Sequence, residues 1–309
     1  MRKWWINLRE TTVPHAPWEM LLMRAAFAWL LWRLLPASVP FIAQPYPTGL
    51  ARLVDLTFLA DPGVYSTLRA GAHACLVLYT LGVAPVVTLL WPAALLTACG
   101  ALENSQGATG HHLQLPCLVA LGQWCVYAAN AVRGAQSHPS GFALVPAEAQ
   151  RRAMQAAKLV IAAGYVASGC VKLIASRGLW FWQVADIPVQ FVKAAANEHY
   201  DTLAPLPEWL TRDLPALMAA HPNLTRLAFA PGLLLELGAL FALAGRGPAL
   251  AVGLGLLTMH LLVDTFMRIS FASHEWLLAI FFVNAPWLVA TVWARWRDVL
   301  AGRGHVPNG

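Results

Sequence analysis

Apolar runs long enough to cross a bilayer recur along this chain, and that recurrence limits its fold more than any motif does. Leu159 to Gln183 and Ala249 to Phe266 are examples. As helices of about 18 to 25 residues they match a hydrocarbon core roughly 30 Å thick. The 309 residues are 58% hydrophobic and 12% charged, with a mean hydropathy of +0.56. A soluble domain carries about 25% charged residues and cannot hide so many apolar runs in one interior. Strand-like alternation is absent, which argues against a β-barrel. The expected fold is therefore all-α, a polytopic membrane bundle of about eight spans.

The spans are expected at Trp18 to Phe41, at two short crossings within Leu68 to Leu102, and from the Glu103–His112 loop to Val132. The remaining four are expected at Leu159 to Gln183, Leu227 to Ala244, Ala249 to Phe266 and Trp276 to Trp296. Gly82-Val83-Ala84-Pro85 divides Leu68 to Leu102 into a hairpin, because one helix of that length overshoots the membrane. Arg133 to Lys158 reads as a charged connector, and PLPEWL and DLPALMAAHP read as short interfacial helices. This divides the chain into an interfacial lead (1–17), one transmembrane domain (18–296) and a basic tail (297–309).

The net charge is +6, but the cations are scattered at span ends rather than gathered into a patch, so the pattern reports topology and not nucleic-acid binding. With eight spans, eleven Lys and Arg fall on the side of the termini, seven fall opposite and three lie within spans. The expected placement is an integral membrane protein of the bacterial inner membrane with both termini cytoplasmic. Its immediate partner is the lipid bilayer. The N-terminus lacks an apolar core ahead of a cleavage site and reads as an interfacial anchor. The five cysteines fall in apolar runs without CxxC or Cys/His spacing, so packing is expected and no metal site.

The polar residues inside the spans carry the chemistry. Lys172 lies near the end of the Leu159–Gln183 run, just beyond the small residues Ala167, Ser168, Gly169 and Cys170. An ammonium there must snorkel, find a partner or act as a base. His260, Asp264 and Arg268 recur every fourth residue and are expected to line one helix face and satisfy one another. Crossing parity places them, His274, Lys172 and the loop carrying His111 and His112 at the same face of the membrane. The bland alternatives are interfacial imidazoles and a buried packing network; the functional one is a polar chamber with Lys172 as a general base. Glu236 is expected to pair with Arg24 or Arg33, or to be protonated. Walker, GxGxxG, HExxH and nucleophile-elbow motifs are absent.

GYVASGCVKL followed by LWFWQ resembles the glycine-lysine-leucine motif and following tryptophan of the HTTM (horizontally transferred transmembrane) domain, the membrane part of vitamin K-dependent γ-glutamyl carboxylases. Arg24, the Leu81-Gly82 hairpin, the loop before the fourth span, LELGALF and MHLLVDTF match the family in order, over roughly Trp18 to Trp293. The lysine-to-tryptophan spacing is longer here, and the chain has no counterpart of the carboxylase's large substrate-holding domain. Lipase-maturation and DoxX-like membrane families share some of the pattern.

The resemblance implies Lys172 as the catalytic base, His111 or His112 as the loop histidine, and a quinone or hydroquinone as the cofactor. Three functions follow. In a quinol-linked enzyme, Lys172 is the base, His111 or His112 stabilises the developing anion, and His260 with Asp264 orients groups or relays protons. The alternatives are a non-catalytic subunit or assembly partner of a larger membrane complex, and a transporter, for which no inverted repeat is visible.

Overall fold

The structure is a computed structural model that describes residues 15–39, 48–106, 112–135 and 145–300. It is helical throughout, and no strand occurs among the described residues. Helix α1 (Pro17–Leu34) begins with proline at its first position, where no donor is lost, and ends just ahead of Pro36. The helix is shorter than the expected span, and Phe41 lies outside the described residues. Helix α2 (Pro62–Leu81) starts earlier than expected, because Asp61 caps it by accepting from the Val64 N–H at 2.8 Å. Gly82 (φ 79°) and Ala84 (φ 43°) then turn the chain left-handed into α3 (Pro85–Ser105), as the hairpin reading required.

Helix α4 (Gln114–Ala135) is followed by α5 (Ala147–Ala175), which corrects two expectations. The second half of the charged connector is helix, and the central span starts twelve residues earlier than Leu159. AEAQRRAMQAAK is rich in strong helix formers, and Glu148 pairs with Arg151 and Arg152 one turn on. The run also stops short of Gln183, since Arg177 (φ 53°) and Gly178 (φ 80°) break it. Trp180–Gln183 forms a separate turn, α6. The mixed segment folds as short helices, among them α7 (Pro188–Thr202) and α8 (Leu214–Ala220).

Helices α9 (Pro222–Ala244) and α10 (Arg246–Met267) return as long apolar elements. The last expected span is broken into α11 (Ala272–Val283) and α12 (Ala285–Leu300), which are bent by 49° at the buried, left-handed Asn284. Five helices (α3, α4, α5, α9 and α10) are long and apolar enough to cross a membrane, and the bent pair makes six. Helix α1 falls short of that measure because it carries Glu19, Arg24 and Arg33, and α2 because Arg69, His73 and its hydroxyl residues dilute it. The outward faces present Leu118, Ile174, Leu234, Phe241 and Leu261, the apolar surface that a bilayer would cover. The core is continuous from Phe27 on α1, which packs edge-on against Phe281 on α11 at 5.5 Å, to Leu256 on α10.

Candidate functional site

Helices α5 and α9 approach closely because Gly169 leaves room. A methyl there would stand 2.8 Å from the Leu237 side chain and 3.5 Å from Glu236 Cβ. The approach brings Glu236 opposite Lys172, with Lys172 Nζ donating to Glu236 Oε1 at 2.5 Å and Ser168 Oγ to the same oxygen at 3.2 Å. The expected partners Arg24 and Arg33 are not used, because the small-residue run on α5 directs the α9 carboxylate toward the lysine. The lysine side chain is 32% exposed and the carboxylate 5%. The ammonium also lies 5.5 Å from the Trp180 ring, so α6 closes over it from the side.

Two helical turns back from Lys172, Tyr165 Oη lies 2.6 Å from Nε2 of the buried His260 on α10. Phe271 packs on the imidazole at 4.6 Å, and His274 is 6.0 Å from it. These groups line one cavity of about 470 Å³ together with Gln114, Trp180 and Glu236. Two buried atoms facing this cluster have no protein partner among the described residues, Glu236 Oε2 and His260 Nδ1. A buried acceptor and a ring nitrogen left open in this way are the features a polar ligand group or ordered water would satisfy.

A second cavity of about 490 Å³ shares Phe229, Gly232, Met259 and Val263 with the first, and its lining is almost wholly apolar. Leu214, Leu217 and Leu224 wall it on one side, with Leu235, Leu262 and Phe266 on the other. The two cavities therefore adjoin, the first carrying the polar groups and the second almost wholly apolar.

Of the residues expected from sequence, Lys172, His260 and His274 do converge on one cavity. Asp264 does not join them. It is exposed and lines a separate polar cleft of about 600 Å³ with Lys193, Glu198 and Asp201. Arg268 stands beyond the helix end in a left-handed conformation and pairs with Glu198 at 3.1 Å. The expected His260/Asp264/Arg268 network is therefore replaced by a Tyr165–His260 contact and an Arg268–Glu198 ion pair. One helix turn of four residues advances about 40° beyond a full circle, enough to carry Asp264 from chamber to cleft. His112 is exposed ahead of α4 and is not among the cavity-lining residues, whereas Gln114 is. His111 lies outside the described residues. Tyr165 went unnoticed in the sequence and Ser168 was read only as one of a small-residue run, although both share the Lys172 face at helical spacing.

A further polar cluster lies at the opposite end of the same helices. Arg246 grips both oxygens of the buried Glu19 at 2.9 and 3.2 Å, and His15 Nδ1 is 3.0 Å from Glu19 Oε2. Lys158, 2% exposed, lies close enough to feel both charges. It was expected at the end of a charged connector. Burial and the Lys158 charge push the His15 imidazole down to about 4, despite its bond to Glu19. Lys158 and Lys172 are fourteen residues apart on α5, as Arg246 and His260 are on α10. Between the two tiers lie the buried Ile161, Ala162, Gly253 and Leu256.

Among the described residues, no group of three or more His, Cys, Asp or Glu is placed to hold a metal ion. Comparison with the profiles of known protein families, with curated proteins and with solved structures gives no match.

Proposed function

We propose that the chamber binds an amphipathic quinol and takes up its hydroxyl proton, the Lys172–Glu236 pair being the acidic and basic partner of that exchange. The observation that carries this reading is the union of an ion pair having one open carboxylate oxygen with an apolar cavity of similar size next door. A polar head with an attached hydrocarbon tail suits such a two-part space. A quinol would supply an O–H whose loss readies it for oxidation. Glu236 Oε2 is the free acceptor, and Lys172 holds the other oxygen while its cation faces the place where negative charge develops. Tyr165 fixes the His260 ring, leaving Nδ1 to bond the ligand's second oxygen. The base expected as a lone lysine thus becomes a lysine and a carboxylate sharing the task. The HTTM-like order of motifs agrees with this placement of Lys172.

The test is a titration of the purified chain with a prenylated naphthoquinol and its tail-less form, followed by tryptophan quenching, for which Trp180 beside Lys172 serves as reporter. The tailed form is expected to bind at least about tenfold more tightly, which needs only about 1.4 kcal/mol from buried hydrocarbon. Glu236→Gln removes the acceptor's charge and is expected to abolish proton uptake while binding persists. Lys172→Met removes the cation that holds Glu236 Oε1 and faces the developing charge, and is expected to weaken proton uptake, whereas Lys172→Arg keeps that cation and is expected to retain it. Equal affinity for both forms, or full proton uptake in the Glu236→Gln variant, would reject the reading.

A further inference from the structure

Four residues face both cavities, Phe229 and Gly232 on α9 and Met259 and Val263 on α10, so a single layer of residues divides the polar chamber from the apolar space beside it. The four differ in how far they can yield. Phe229 is backed by other rings, its centroid 5.8 Å from that of Phe191, which in turn stacks on Phe266 at 5.7 Å. Val263 is branched at Cβ and keeps few rotamers on a helix. Gly232 has no side chain. Met259 alone combines length with an unbranched, freely rotating chain that repacks around irregular apolar neighbours.

The Met259 thioether lies over the glycine. A methyl at Gly232 would stand 3.3 Å from Met259 Sδ and 3.8 Å from Cγ, and beyond its own helix it would meet no other atom of the described residues within 4 Å. The partition above Gly232 is therefore one flexible side chain resting on bare backbone. Its position along the helices matters as well. Gly232 and Glu236 are four residues apart on α9, a rise of about 6 Å, and Met259 directly precedes His260 on α10. The weakest part of the partition thus stands about one turn from the groups assigned to the ligand's head.

We infer that Gly232 and Met259 set the specificity for the ligand's tail, the Met259 side chain swinging off Gly232 to let one hydrocarbon chain cross from the chamber into the apolar cavity. The inference rests on the reading of the chamber as a quinol site and adds the place at which head and tail part. It makes the bare backbone of Gly232 a requirement of binding, since any side chain there takes the room that Met259 gives up.

The experiment measures, by titration calorimetry on the full chain in lipid nanodiscs, the affinities of a prenylated naphthoquinol and of its tail-less form. The ratio of the two is expected to be about ten in the wild type. Gly232→Val fills the space over the backbone and Met259→Phe fills it from the facing helix, and each is expected to bring the ratio to about one. Adding Met259→Ala to Gly232→Val makes room for the new side chain and is expected to restore most of the tail's advantage, a recovery that a general loss of folding would not show. A ratio that survives both Gly232→Val and Met259→Phe would overturn the threshold and leave the quinol site standing. Equal binding of the two forms by the wild type, or binding of neither, would overturn site and threshold together. Should a single variant bind neither form, the double variant decides: a restored ratio upholds the threshold, and a ratio of about one overturns it.

Discussion

Lys172 and Lys158 show how differently two lysines on one helix can be read from sequence. Lys172 stood out because it interrupts an apolar run; Lys158 did not, because it ends a segment that already looks charged. Burial inverts that impression, leaving Lys172 a third exposed and Lys158 almost wholly enclosed. The pairing of Glu236 was also out of reach, since three cations competed for it and only the closeness of two helices chooses among them. At the same scale, His15 makes stability depend on pH. Its folded-state pKa of about 4 lies below the ordinary 6.5, so between those values the unfolded chain binds the proton more readily. Stability is therefore expected to be complete above about pH 6.5 and to fall as pH drops toward 4. The loss is on the order of 3 kcal/mol if the whole shift is realised. Denaturant unfolding at pH 4, 5.5 and 7 checks this, and His15→Gln is expected to flatten the profile.

Among the elements, those that the sequence marked well were the ones with local punctuation. Gly82 and Ala84 stop α2 and restart α3 where the glycine and proline said they would, and the apolar lengths of α9 and α10 were close to those seen. The start of α5 was misplaced because helix propensity and hydrophobicity part company there, and a charged helix looks like a loop to a hydropathy reading. The break at Asn284 was missed although Pro286 stands two residues on, because the apolar run continues through both. Gly169 was noticed as part of a small-residue run, but what it does depends on Leu237 and Glu236 coming from another helix. Gly169→Val is expected to push α5 and α9 apart, cost roughly 1 to 3 kcal/mol through overpacking, and lengthen the Lys172–Glu236 contact. A melting curve together with a pair-sensitive probe of Lys172, such as its rate of amine labelling, measures both effects. Unchanged melting and labelling would show that the approach of the two helices does not depend on the glycine.

For the whole molecule, the all-helical membrane class was legible from hydropathy alone, whereas the number of crossings was not, because α1 and α2 carry charge that the interior absorbs. The fold also alters the basic-residue count, since the buried Lys158 drops out and leaves ten cations on the side of the termini against seven opposite. The direction of the bias is unchanged, so both termini are expected in the cytoplasm. Reporter fusions at Ser137 and Gly309 should score inside, and one at Asn197 outside. Ser137 and Gly309 on opposite sides would require a different number of crossings.

The fourteen-residue spacing of the two polar tiers on α5 and α10 sets a distance of about 21 Å between them. Ile161, Ala162, Gly253 and Leu256 occupy that interval and offer no side chain that can carry a proton. If Lys172 and Glu236 take up a proton as proposed, these four side chains offer it no relay from one tier to the other, so the exchange is expected to draw no current across the bilayer and to take no push from an imposed voltage.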